Sequence, residues 1–106
     1  MKAALALCVL VVGCKSDESK GSDIADKASS WAATAGVVTA AMTENRVPST
    51  YGRKTLEDAR KDLDAWQQKV GTLQLSDTMR NKVSHALTEE SDSLRRLRAE
   101  LARRGE

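Results

Sequence analysis

The sequence predicts an all-α fold, a small antiparallel up-down-up three-helix bundle, and three observations carry that prediction. Apolar residues recur in alternating steps of three and four along three separate segments, the period of one helix face. Such stripes suit helices packed at small crossing angles. Short connections join the segments and place neighbouring helices antiparallel. Composition agrees. The 106 residues hold one Pro, six Gly and no Phe, with 41% hydrophobic and 30% charged residues, a balance that suits a folded helical domain better than a disordered chain. The core must therefore come from Leu, Val, Ala and Met, with Trp31 and Trp66 supplying the large volumes.

The first helix is expected over about 23–45, its stripe formed by Ile24, Ala28, Trp31, Ala35, Val38 and Met42. Ser22 or Asp23 can cap it, and Asp23 and Asp26 suit the positive end of the helix dipole. Pro48 keeps Val47 out of helical angles and ends the helix near Asn45. The stretch WAATAGVVTAAM, 31–42, is apolar around most of its circumference, and Ala32, Gly36 and Ala40 form a row of small residues. This predicts the most buried helix of the bundle, with self-association or a partner helix on a spare face as the alternative.

The second helix, about 49–71, carries Leu56, Ala59, Leu63, Trp66, Val70 and Leu73. Pro48 or Ser49 can open it, Thr55-x-x-Asp58 reads as an internal capping box, and Gly71 is a stop. The third, about 77–104, takes Ser76 or Asp77 as cap. Its stripe is Val83, Leu87, Glu90, Leu94, Leu97 and Leu101, and Arg103 and Arg104 sit where the dipole favours cations. Folding the chain about 46–47 and 73–74 sets Trp66 opposite Ala28 and Leu63 against Val83. It puts Glu90 beside Leu56, near Arg53 and Lys54, where an ion pair or a route to solvent would relieve the cost of a carboxylate in the stripe. The third helix then overruns the others by about two turns, leaving Leu97 and Leu101 short of partners.

The N-terminus is a different kind of sequence. Lys2 is followed by an unbroken apolar run, Ala3 to Gly13, too short to span a bilayer that needs about 20 residues but suited to the apolar segment of a secretory signal. The run ends Val11-Val12-Gly13-Cys14 and turns at once to KSDESKGSD. An aliphatic residue at −3, a small residue at −1 and cysteine at +1 resemble the lipobox of bacterial lipoproteins. The resemblance implies cleavage after residue 13, a lipid on Cys14 with palmitate-type acylation, and a mature chain hung from a membrane. Cys8 fits poorly, since Leu7 before it is large. An ordinary signal peptide and a retained helix with buried thiols are the competing readings. Residues 14–22 then form the lipidated cysteine and a polar, flexible tether. The expected location is the cell envelope, on a membrane face towards the periplasm. Lys15 stands where some bacteria place Asp as an inner-membrane retention signal, which favours the outer membrane.

Little chemistry is offered. His85, the lone histidine, falls off its helix stripe and reads as a solvated surface residue. One histidine and one acylated cysteine provide neither a zinc-type ligand set nor a Cys/His nucleophile pair. Asp58 and Asp62 lie one turn apart, but neighbouring lysines and arginines make a shared cation improbable. No cofactor or metal is expected, and a net charge of +2 makes no case for nucleic acid. The remaining candidate is the C-terminal tip, where Arg95, Arg96 and Arg98 surround Leu97 and Leu101, with Arg46, Arg53, Lys54, Arg103 and Arg104 at the same end. The sequence thus predicts a non-enzymatic, membrane-anchored lipoprotein that presents a helical bundle to an envelope protein or cell-wall partner. The alternative is a small inhibitor or regulator of an envelope enzyme acting through that basic tip.

Overall fold

The computed structural model describes residues 16–105, so the expected signal peptide, 1–13, and the expected lipidation site, Cys14, lie outside the described residues. Three helices follow one another: α1, Asp17–Thr43; α2, Ser49–Val70; and α3, Asp77–Arg103. The all-α three-helix bundle is the observed fold, with no strand among the described residues.

The tether expected up to Ser22 is corrected from Asp17 onward, because α1 begins there. The Ser16 hydroxyl accepts the Ser19 N–H at 3.2 Å, a side-chain cap, and Asp17 and Glu18 occupy the first turn where the helix dipole favours negative charge. Those acids also reach across the bundle. Asp17 Oδ2 accepts the Gln74 N–H at 2.7 Å, while Glu18 accepts the Ser76 N–H at 2.6 Å and the Ser76 hydroxyl at 3.1 Å. They satisfy backbone donors of the 73–76 connection that no helix or sheet provides for. Beneath them Gly21 is buried against Leu75 and Met79: a Cβ there would stand 2.9 Å from Leu75 Cδ2. Polarity reads as a tether when the partners of the polar groups lie far along the chain.

The opposite end is fastened in the same manner. The Thr43 hydroxyl donates to Glu100 at 3.2 Å. Arg104 Nη2 donates to the Met42 carbonyl and, at 2.6 Å, to Asn45 Oδ1. Asn45 takes a left-handed φ of 58°, which terminates the chain's helical path after Glu44. From one end of the pair to the other, α1 and α3 partners are 57 to 62 residues apart, so the two helices run parallel and in register. They form the most extensive interface of the bundle. Gly21, Ala25, Ala28 and Ala35 are the small buried residues of α1 that permit this close approach.

α2 returns antiparallel between them. Its Thr55 is not a cap: the hydroxyl donates to the Tyr51 carbonyl at 3.0 Å from mid-helix, and α2 opens at Ser49 directly after Pro48. Gly52 lies under Met42, whose sulfur occupies the place a Cβ would need. Trp31 Nε1 donates to Asp62 Oδ2 at 3.0 Å, which fixes the level of α2 against α1 as the sequence register has it.

The second turn shifts the register. Residues 73–76 are an extended connection instead of a tight turn, and they lower α3 by about one helical turn towards the N-terminus of α1. Two expectations change. The two-turn overhang does not exist, since Leu97 is fully buried and Leu101 nearly so. Glu90 lies away from Arg53 and Lys54 and level with Trp31 and Asp62. α1 is also less enclosed than its composition suggests. Val37 is 68% exposed, Ala33, Gly36 and Ala40 are exposed, and Ala32 is half-buried, so the predicted small-residue row faces largely outward.

Candidate functional site

The five residues expected at the basic tip divide among three environments. Leu97 and Leu101 belong to the core. Arg96 faces the α1–α3 side, near Ser29 and Ala32. Arg95 and Arg98 line a groove between α2 and α3, where they meet a residue the sequence reading did not place with them, Arg60 of α2. Leu56, Leu63 and Leu94 form the apolar floor of that groove and Ser91 part of its wall. A second groove continues along the same two helices past Arg95 to Arg80 and Gln67. Arg60 could have been found only from the corrected register, since its own helix shows it merely as one charge in a polar face.

The arginines are not equally engaged. Arg95 pairs with Asp92 at 3.1 Å. Neither Arg60 nor Arg98 makes a hydrogen bond or ion pair among the described residues, and both are exposed. A planar guanidinium carries donors in a fork that matches a carboxylate, so two uncommitted forks over a leucine floor form an amphiphilic, anion-attracting surface. Arg96 is likewise exposed and unpaired among the described residues but stands on the α1–α3 side, outside this groove, whereas the remaining tip cations are used within the fold. Arg46 pairs with Glu44 at 2.5 Å, Lys54 with Asp58 at 3.2 Å, Arg103 with Glu100 at 2.5 Å, and Arg104 caps α1. Arg103, with help from Thr43 and Arg104, holds the Glu100 carboxyl below the usual carboxylate range.

Halfway along the bundle is a second unusual set. Glu90 is fully buried, and neither carboxyl oxygen has a hydrogen-bond partner. The expected ion pair or route to solvent is therefore corrected. Burial pushes this carboxyl up to about 8, and the nearby Asp62 carboxylate adds to the rise. Asp58 and Asp62 do not share a site, because Asp58 turns to Lys54 while Asp62 receives the Trp31 indole. His85 is exposed and contacts Glu89 at 2.8 Å. No group of three potential metal ligands forms among the described residues, and no described helix is long and apolar enough to cross a membrane.

Comparison with known proteins returned no matching family, no matching curated protein and no matching solved structure.

Proposed function

We propose that this chain is an envelope lipoprotein, anchored through Cys14, whose bundle docks an acidic amphipathic helix of a partner protein in the α2–α3 groove. The observation that carries the docking reading is the convergence of Arg60, Arg95 and Arg98 on a floor of Leu56, Leu63 and Leu94. Charge complementarity selects an acidic partner, and the leucine floor asks for apolar side chains beside the acids. A helix seated there would take the fourth position against α2 and α3, completing a four-helix arrangement. No catalytic step is assigned to the protein. The anchor rests on Val11-Val12-Gly13-Cys14 and the change of composition behind it.

The docking test compares charge reversals on the two sides of α3. Crosslinked capture of the full chain from its own envelope identifies a partner by mass spectrometry. The pair Arg60→Glu and Arg98→Glu should lose that partner, and Arg96→Glu should keep it. Equal capture by all variants, or sedimentation with protein-free cell-wall sacculi in place of a protein, would overturn the reading. Metabolic labelling with palmitate checks the anchor: the wild type should be labelled and Cys14→Ser should not.

A further inference from the structure

We propose that the cleft between α1 and α2 holding Trp31, Trp66 and Asp62 binds a small zwitterion, a quaternary ammonium compound that also carries a carboxylate. This site is separate from the arginine groove and does not depend on it. The chain has two tryptophans, and both line this one cleft of about 370 Å³, with Lys27, Ser30, Thr34 and Asp62. Trp31 comes from α1 and Trp66 from α2, so the fold, not sequence proximity, brings the indoles together.

Each component matches a part of such a ligand. Indole faces attract a methylated ammonium through their quadrupole, and the attraction strengthens where water is partly excluded; both rings here are half-buried. Asp62 supplies the carboxylate, with its Oδ2 held in place by the Trp31 N–H at 3.0 Å. Among the described residues no Lys or Arg pairs with Asp62, so its charge is not consumed inside the fold. At the same level the Glu90 carboxyl is buried, does not line the cleft and holds its proton below pH about 8, so the negative charge of this layer is that of Asp62. Lys27 decides the ligand class. A simple cation would be repelled by it, whereas a zwitterion can set its carboxylate at Lys27 and the hydroxyl of Ser30, i,i+3 neighbours on the N-terminal side of Trp31.

The test is titration of the purified full chain with glycine betaine, followed by the indole N–H resonances of Trp31 and Trp66. Both resonances should move along one saturable curve. Tetramethylammonium should need about tenfold higher concentration, and sodium acetate should move neither resonance. Asp62→Asn should weaken betaine about tenfold, and Trp66→Leu should abolish binding while far-ultraviolet circular dichroism stays helical. Should Trp66→Leu lose helicity, Trp66→Phe keeps the ring and should bind several-fold more weakly. Shifts that never saturate, tetramethylammonium binding as well as betaine, or unchanged affinity in Asp62→Asn would each overturn the proposal.

Discussion

Two rows of small residues run along α1, and their fates are opposite. Gly21, Ala25, Ala28 and Ala35 are buried, and the helix meets α3 along an extensive interface. Ala33, Gly36 and Ala40, with Val37, face outward, and a Cβ added at Gly36 would meet nothing within 4 Å. Residue size alone does not distinguish the two rows. The difference comes from the ends of the helix, where Asp17, Glu18 and Thr43 bond to the 73–76 connection and to α3, fixing which side of α1 turns inward. A small residue permits close approach; it takes a directional contact elsewhere to make that approach happen.

The largest test of this contrast is Ala28→Leu. Ala28 has no exposed surface, and adding branched bulk to a closely packed interior costs about 1–3 kcal/mol and sometimes more. For a bundle this small that is a substantial part of its stability, so chemical denaturation should show a sharply lowered midpoint, while Ala40→Leu on the outward row should leave the midpoint nearly unchanged.

Next in size is the pH dependence imposed by Glu90. Its carboxyl sits at about 8 in the folded chain against an ordinary value of 4.5. Between those values the folded chain holds a proton that the unfolded chain has released, so the group's contribution is fully present below 4.5 and is lost as pH rises through about 8. The slope reaches at most about 1.4 kcal/mol per pH unit. Urea midpoints should therefore fall from pH 6 to pH 9 in the wild type. In Glu90→Gln that fall should largely disappear, and an equally steep fall in the variant would show that another group is responsible.

The smallest expected effect has the opposite sign. Gly36→Ala replaces an exposed mid-helix glycine with open space around it. It should stabilise the bundle by about 0.5–1 kcal/mol, read as a raised thermal midpoint. A loss of stability would mean that the outward row is covered in solution, the mark of self-association on that face.

The three helices, the positions of their two connections and the α1–α2 register were legible in the sequence, because stripe spacing and Pro48 are local signals. The α1–α3 register was not. It depends on residues 73–76 running extended, a choice made by their long-range bonds to Asp17 and Glu18. That single slip moved Leu97 and Leu101 into the core, carried Glu90 to Asp62 and brought Arg60 to Arg95 and Arg98. The early start of α1 was illegible for the same reason, since Ser16, Asp17 and Glu18 look solvated until the distant connection is in view. The start has a practical side too: a soluble form must begin no later than Ser16 to keep the cap.

The Ser16 cap has one further consequence. It lies two residues after Cys14. If that cysteine is lipidated, a single residue separates the anchor from the cap, and an upright bundle would carry the far end of α1 about 40 Å from the bilayer surface. Arg60 and Arg98 would then sit roughly 25–35 Å above the headgroups at 1.5 Å per residue. Held upright, the protein would offer the arginine groove to partners in one thin layer of the envelope, selecting by altitude before it selects by charge.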